Sequence, residues 1–109
     1  MISIKNNIIK MTRGDTLIAE VTIKESDGTT YEPAAGDSVR FAAKRQYCDS
    51  TPAILKDVNM STMLLELDPE DTAELEFGRY VWDMELTYAS GAVDTFITEG
   101  KLEILPEVY

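Results

Sequence analysis

Residues 79–88 read RYVWDMELTY, and this stretch decides the fold class of the chain. Its large apolar side chains recur at every second position: Tyr80, Trp82, Met84, Leu86 and Tyr88. The residues between them are mainly polar, so one face of the segment suits a protein core and the other suits water. We therefore predict an antiparallel β-strand, in which Trp82 is a core residue and not a platform for stacking sugars.

Turn signals follow this strand. The short segment ASG at residues 89–91 separates it from AVDTFITEG at residues 92–100, which predicts a β-hairpin. Gly100 is then expected to break the chain before a last strand, KLEIL at residues 101–105, which Pro106 ends.

Earlier segments show the same alternation, at residues 17–24, 39–44 and 63–67. Asp27-Gly28 and Gly36-Asp37 mark the turns between the first two of them. Residues 46–60 are harder to interpret, and we predict a loop followed by a short irregular strand around residues 54–58.

A single segment favours helix, DPEDTAELEFG at residues 68–78. Asp68 can cap the helix, Pro69 can be its first residue and Gly78 can stop it. At about two turns it is a connector that crosses from one sheet to the other. Together these elements predict an all-β fold: an immunoglobulin-like antiparallel β-sandwich of about seven to eight strands, with one short helical crossover at about residues 69–76.

Composition narrows the possible functions. The 109 residues suit one domain, which we take to span residues 1–109. A net charge of −10 repels phosphate backbones, so we expect no nucleic-acid partner. The simplest role of the negative charge is to keep the protein soluble, and the alternative is that it forms a docking face for a basic partner. No apolar run is long enough to cross a bilayer, so we expect no membrane partner and synthesis into the cytoplasm.

Catalytic and cofactor chemistry find little support in the residue types. One cysteine and no histidine exclude His-based catalysis and leave no ligand set for zinc. Carboxylates that could act as acid and base fall on strand faces that should be solvated: Glu66, Asp83 and Glu85. Those that could bind calcium lack EF-hand spacing and suit helix capping: Asp68, Glu70 and Asp71. We predict a protein that is not an enzyme and that has no cofactor.

Three tyrosines lie in predicted loops or at the chain terminus, and tyrosine is a common anchor at protein interfaces. They are Tyr31, Tyr47 and Tyr109, and we take them as candidate interface positions. Edge strands near the two termini would supply further contacts, by pairing with copies of the chain or with another protein.

Four motifs follow one another in a recognisable order: an Arg-Gly-Asp opening turn, an Asp-Gly hairpin, a GD-x-V-x-F strand, and a late G-x-Y-x-x-D-x-E-L…G-x-V-x-T-F hairpin. Their residues are Arg13-Gly14-Asp15; Asp27-Gly28; Gly36, Asp37, Val39 and Phe41; and Gly78, Tyr80, Asp83, Glu85 and Leu86 with Gly91, Val93, Thr95 and Phe96. This order, over about residues 11–108, resembles small structural proteins of tailed phages and prophages of Gram-positive bacteria. It is similar in particular to the immunoglobulin-like N-terminal domain of baseplate upper proteins.

The resemblance implies a non-enzymatic virion component that acts in tail or baseplate assembly through protein–protein contacts. Its partners would be other phage structural proteins and copies of itself, and its location the bacterial cytoplasm and then the tail or baseplate region of the virion. It also implies that Arg13-Gly14-Asp15 is a turn and not an integrin ligand. The alternative function is a carbohydrate- or ligand-binding β-sandwich module for adhesion to the bacterial surface, which would need exposed aromatic side chains.

Overall fold

In a computed structural model, which describes residues 3–5, 7–25 and 27–107, the chain forms two β-sheets. The strands and the single short helix of these residues are β1 (Ser3–Lys5), β2 (Ile8–Thr12), β3 (Leu17–Glu20), β4 (Ser38–Lys44), β5 (Ile54–Asp57), β6 (Leu64–Leu67), α1 (Pro69–Thr72), β7 (Gly78–Thr87) and β8 (Val93–Leu105). The larger sheet has the order β1-β2-β8-β7-β4-β5, and β3 and β6 form the smaller sheet. The all-β prediction is confirmed.

The predicted alternation of β7 is present, and it orients the core. Its inward side chains are buried, and Trp82 is only 5% exposed. Both sheets contribute to one cluster of buried hydrophobic residues, with Phe41 from the larger sheet and Leu65 from the smaller one among its fully buried members. Burying a side chain of this size stabilises the fold by roughly 1.5–3 kcal/mol.

Gly100 does not break the chain, and the prediction of a new strand after it is wrong. β8 runs without interruption for 13 residues from Val93 to Leu105, and Gly100 pairs with Trp82 across the sheet. A Cβ atom at residue 100 would lie 2.2 Å from Cε2 of Trp82. The indole Nε1 donates to the carbonyl oxygen of Lys101 at 2.8 Å. The glycine therefore provides the space in which the tryptophan ring lies against its neighbouring strand.

The pairing of β7 with β8 shifts register twice, between Trp82 and Met84 and between Met84 and Glu85. β8 is accordingly longer than β7, because extra residues oppose single positions of its partner. Such bulges increase the local twist of a sheet. They also explain why β8 loses the strict alternation that is so clear in β7.

The larger sheet is mixed and not wholly antiparallel, which is a second departure from the prediction. β2 lies parallel to β8, with Ile8 opposite Lys101 and Thr12 opposite Leu105. β8 is therefore an interior strand with neighbours on both sides, and it offers no free edge near the C-terminus. The edges of this sheet are β1, near the N-terminus as expected, and β5 from the middle of the chain. The short strand predicted around residues 54–58 is thus present as β5.

The helical connector is confirmed at its start and is shorter than predicted at its end. Pro69 is its first residue, and the backbone N–H of Asp68 donates to Oδ2 of Asp71 at 2.7 Å. The helix ends at Thr72, and residues 73–77 continue without helical structure to β7. The segment crosses from β6 in the smaller sheet to β7 in the larger sheet, as the sequence indicates.

β3 ends at Glu20, although the alternation predicts a strand as far as residue 24. Val21 and Ile23 nevertheless remain buried, and a single bridge joins Lys24 to Thr30 around the Asp27-Gly28 turn. The alternating pattern therefore correctly predicts which side chains are buried, even after residue 20, where regular strand pairing ends.

Within the described ranges, α1 is the one helix, and at four residues it cannot cross a membrane.

Candidate functional site

Of the three tyrosines proposed as interface positions, Tyr31 has an internal role. Its hydroxyl donates to Oδ2 of Asp37 at 2.6 Å, and its ring meets that of Tyr88 edge-on at 5.8 Å. Asp37 also accepts from the backbone N–H of Ala34 at 2.8 Å and of Ala89 at 3.0 Å. Tyr31 therefore helps to fasten the loop before β4 to the turn of the β7–β8 hairpin.

These hydrogen bonds change the protonation of both groups. The hydrogen bond from Tyr31 and those from two backbone N–H groups hold the pKa of Asp37 below its usual value. The same contact with the Asp37 carboxylate raises the pKa of Tyr31 to about 12. At neutral pH Asp37 is therefore ionised and Tyr31 is neutral. This arrangement suits a structural hydrogen bond, and neither group is poised for proton transfer.

Tyr47 has the exposure that an interface anchor needs, since 61% of it is open to solvent. It lies beside the sheet, where Nζ of Lys101 is 5.6 Å from the centre of its ring. Tyr47 and Tyr31 lie toward opposite ends of β7, so the structure does not bring them into one site. Tyr109 lies outside the described residues.

The Arg13-Gly14-Asp15 turn is confirmed, with Gly14 at φ +84° and the N–H of Asp15 bonded to the carbonyl of Thr12. Its arginine side chain is turned toward the protein. Arg13 forms a 2.7 Å ion pair with Glu107, donates to the carbonyl of Leu75 and lies 4.2 Å from the centre of the Phe77 ring. The guanidinium therefore fastens the segment that follows α1, and it is not presented as part of a free loop.

The outward side of the larger sheet, which we call the outer face, carries exposed apolar side chains. Leu55 on the edge strand β5 is 58% exposed, and it lies opposite Ala42 of β4. Ile8 on β2 is also exposed. Its cross-strand neighbour on β8 is Lys101, whose neighbour on β7 is Val81. With Tyr47 nearby, these residues give the outer face the mixed apolar and aromatic character that is typical of protein-binding surfaces.

Basic side chains are concentrated on the same side. Of the nine lysines and arginines whose side chains the structure describes, six lie on outer-face positions of the larger sheet or directly after β4: Lys10, Arg40, Lys44, Arg45, Arg79 and Lys101. In a chain with net charge −10, this placement leaves most of the acidic excess on the rest of the surface. The outer face is thus the region in which an acidic partner would meet least repulsion.

The carboxylates considered for acid–base chemistry have ordinary partners or none. Asp83 and Glu85 both pair with Arg40, at 3.5 Å and 3.1 Å, on the outer face of β7. Glu66 lies exposed on β6, opposite Ile18 of β3. Arg40 thus lies between the two β7 carboxylates, which suits a surface ion-pair network.

The acidic residues around α1 are likewise used within the fold. Lys56 lies 3.1 Å from Asp71 and 3.4 Å from Asp68, and its contact with Asp71 raises the pKa of its amine. Glu70 is exposed beside them. Throughout the described part of the chain, no group of three or more acidic or cysteine side chains is placed to hold a metal ion.

Burial of Trp82 confirms the prediction that it is a core residue, and it removes the aromatic side chain best suited to stacking on a sugar. Its ring packs against Phe41, with the ring centres 5.3 Å apart. Of the two candidate tyrosines that the structure describes, only Tyr47 is exposed.

The sequence pattern did not reveal the outer face as a candidate site. Alternation in β7 does place Arg79 and Val81 on the side away from the core, and that signal could have been used. The neighbours of those residues depend on the register of β2 against β8, which joins Ile8 to Lys101 across nearly the whole chain. Nothing local in the sequence specifies that pairing.

Comparison of the chain with models of known protein families, with curated proteins and with solved structures finds no significant match in any of the three.

Proposed function

We propose that this chain is a non-enzymatic structural component of a phage or prophage particle, which acts in tail or baseplate assembly through protein–protein contacts. The outer face of the larger sheet is the surface through which it would act. The single observation that supports this most directly is the exposed apolar set on that face, in which Leu55, Tyr47 and Ile8 flank the basic side chains. A partner that covers them would remove apolar surface from water, which is the main driving force of association.

The position of Leu55 supports the same proposal. β5 is an edge strand of four residues, so the backbone groups on its outer side have no strand beside them. Edge strands of this kind can pair with a strand of another chain. A partner at this edge would bury Leu55 and complete the hydrogen bonding of β5 in one contact.

The motifs that resemble phage structural proteins have structural roles here, which agrees with a scaffold and requires no active site. Gly36, at φ +91°, brings its loop so close to the β7–β8 turn that a Cβ would lie 2.9 Å from that of Ala89. Asp37 then binds the Ala89 backbone N–H. The GD-x-V-x-F motif thus contacts the late hairpin motif, which is the next motif along the chain in the resemblance.

The finer fold assignment, an immunoglobulin-like β-sandwich, belongs to the same proposal. Two sheets that share one hydrophobic core support it. The parallel pairing of β2 with β8 and the two-stranded size of the smaller sheet are the features in which this chain departs from a wholly antiparallel sandwich.

The test begins with particles purified after inducing a prophage that encodes this chain. Mass spectrometry is expected to find the chain in intact particles at a fixed ratio to the tail-tube protein. Its presence in the lysate but absence from every intact particle would contradict a virion role. Binding of the purified protein to bacterial cell-wall sugars would then favour the adhesion module instead.

A matched pair of variants tests the outer face itself. Leu55→Asp and Ile18→Asp each place a carboxylate at a residue that is 58% exposed on a four-residue strand. Leu55 belongs to the larger sheet and Ile18 to the smaller one. We expect Leu55→Asp to remove the chain from particles while Ile18→Asp leaves it in place. Equal incorporation of both variants would show that this face is not the interface.

A further inference from the structure

The outer face contains a groove that is lined by basic and apolar side chains. We call it the basic groove, and it is a concavity of about 470 Å³. The side chains that define its character are Ile8, Lys10, Arg45, Arg79, Val81 and Lys101. One acidic residue also lines it, Glu103, and this residue pairs with Lys10 at 3.9 Å. A groove with four basic residues and one acidic residue is notable in a chain that carries a net charge of −10.

Three of these cations have no carboxylate within 4 Å among the residues that the structure describes. Among the described residues, Arg45, Arg79 and Lys101 form no ion pair. Elsewhere in the described chain, Arg13, Arg40 and Lys56 are each within 4 Å of a carboxylate. Among the described residues Lys24 and Lys44 form no ion pair either, but the basic groove is the place where three such cations lie together.

The fold holds these cations in place. The guanidinium of Arg45 lies over the Tyr80 ring, 4.9 Å from its centre, and it packs against Gly78, where a Cβ would be 2.9 Å from Nη2. Arg79 and Lys101 project from paired strands at the same side of the sheet, opposite Glu103 and Val81. The sheet therefore fixes where the backbone places Arg79 and Lys101, and the Tyr80 ring restricts the Arg45 guanidinium.

The chain also contains a segment of complementary chemistry. Residues 70–77, which comprise the last three residues of α1 and the segment from there to β7, expose three carboxylates and an aromatic ring: Glu70, Glu74, Glu76 and Phe77. No ion pair involves these three glutamates within the part of the chain that the structure describes. The segment, which we call the acidic connector, thus offers negative charge beside an exposed apolar group, which matches the cations and apolar side chains of the basic groove.

We propose that the basic groove of one copy binds the acidic connector of a second copy. The two surfaces are complementary, so two copies that exchange both contacts form a two-fold dimer, and copies joined head to tail form a ring or a filament. This inference rests on the proposed function, because it names the partner that occupies the outer face. The charges of one connector pair with the cations of the next groove, while Phe77 lies against Ile8 and Val81.

The occupant is a protein segment and not a nucleic acid, because the remaining surface carries the acidic excess. A long polyanion would extend beyond the groove onto that surface, whereas a connector of eight residues stays within it. Repulsion between two chains of charge −10 is screened over about 8 Å at physiological ionic strength, so the short-range contact can act there. At lower ionic strength we expect the association to weaken, which is the reverse of the behaviour of a nucleic-acid complex.

The test uses two charge-reversed variants of the whole chain, measured by sedimentation equilibrium over a concentration series at physiological ionic strength. The groove variant carries Arg79→Glu and Lys101→Glu, and the connector variant carries Glu70→Lys and Glu74→Lys. We expect the mass of the wild-type protein to rise to at least twice that of the monomer, and each variant alone to stay at the monomer mass. An equimolar mixture of the two is expected to associate again, since each supplies the surface that the other has lost.

Control variants separate this contact from a general effect of charge. Lys24→Glu and Glu20→Lys reverse exposed charges that belong to neither surface, and both are expected to associate as the wild-type protein does. Circular dichroism verifies that each variant is folded. If the groove variant is unfolded, the milder pair Arg79→Gln and Lys101→Gln replaces it, with at least a tenfold weaker association expected.

Each outcome decides the proposal. A wild-type protein that remains monomeric at every concentration overturns it, and so does a mixture that fails to associate when the wild type does. Variants that each associate alone overturn it as well. If the chain is present in particles but stays monomeric in solution, the groove contact is wrong and the virion role stands. If the chain associates as expected but is absent from particles, the virion role is wrong and the contact stands.

Discussion

The two faces of β7 belong to one strand but lie in different environments: one is buried in the core and the other lies on the surface. Inward, Trp82 and Met84 are buried against the rest of the core. Outward, Arg79 has no ion-pair partner among the described residues, while Asp83 and Glu85 share Arg40. The inner face is fixed by which side chains are apolar, whereas the character of the outer face depends on which strands lie beside β7 and in what register.

The difference shows how the chain separates stability from recognition. Substitutions inward should change the free energy of unfolding, because they leave cavities or clashes in a close-packed core. Substitutions outward should leave that free energy almost unchanged and alter association instead. This separation can be tested one residue at a time.

The largest effect is expected at Phe41, which is fully buried and packs against the Trp82 ring. Phe41→Ala should lower the free energy of unfolding by about 3–5 kcal/mol. Urea denaturation followed by fluorescence measures it, because Trp82 is the one tryptophan of the chain. The outer-face control Tyr47→Ala should change the same quantity by no more than about 0.5 kcal/mol. Similar losses for the two variants would break the distinction between the faces.

The next effect concerns the contact between Gly100 and Trp82. Gly100→Ala places a methyl group where the indole ring now lies, so one of the two strands must shift, at a cost of about 1–3 kcal/mol. Urea denaturation followed by circular dichroism measures the loss. A shift of the Trp82 emission would accompany it, because the ring would move or lose its hydrogen bond to the Lys101 carbonyl.

A second variant identifies the cause of that loss. With Trp82→Leu already present, the smaller side chain leaves room at residue 100, so the added methyl group should cost less than it does beside tryptophan. A full, undiminished penalty for Gly100→Ala in the Trp82→Leu background would show that the glycine is needed for its backbone and not for the ring.

The smallest effect of the three is expected at Asp37. Because its pKa is lowered in the folded state, the carboxylate contributes stability that is present above its ordinary value near 3.8 and is lost as the pH falls through the folded value. Asp37→Asn should therefore be less stable than the wild type at pH 7, and the difference should shrink in acid. Unfolding measured at a series of pH values determines this.

The same variant should return the pKa of Tyr31 from about 12 toward its ordinary value of 10, because the charged carboxylate that accepts its hydrogen bond is gone. Alkaline titration of tyrosine absorbance, with Tyr31→Phe to identify the signal, measures the change. A Tyr31 pKa that stays near 12 in Asp37→Asn would mean that burial, and not the hydrogen bond, keeps the hydroxyl protonated.

The inward side of the fold was predictable because it depends on local information. Alternation identified β7 and β4, and Asp68 and Pro69 marked the start of α1. Gly100 misled the prediction because glycine has two uses in a strand, to end it or to admit a bulky neighbour, and only the cross-strand pairing with Trp82 distinguishes them. β2 gave no comparable signal of its parallel partner.

The candidate site was predictable only in part, because a surface is composed of residues from distant strands. Tyr47 could be singled out as an aromatic in a loop, and it is exposed. Tyr31 could be singled out in the same way, yet it bonds to Asp37, six residues further along the chain. Leu55 and the cations of the basic groove form surfaces only together with residues of neighbouring strands. The order of those strands is a property of the assembled sheet, so these surfaces could not be predicted from the sequence.

The placement of β8 between β2 and β7 has a consequence for how the molecule acquires its structure. The residues that β2 and β8 bring together lie near opposite ends of the sequence, so a large loop must close before the centre of the sheet exists. During synthesis β8 is made last, so until then β2 and β7 lack the strand that pairs with both of them. Their unpaired backbone groups are then exposed to other nascent chains. We therefore expect slow folding for a domain of this size and a yield of native protein that falls as expression is accelerated.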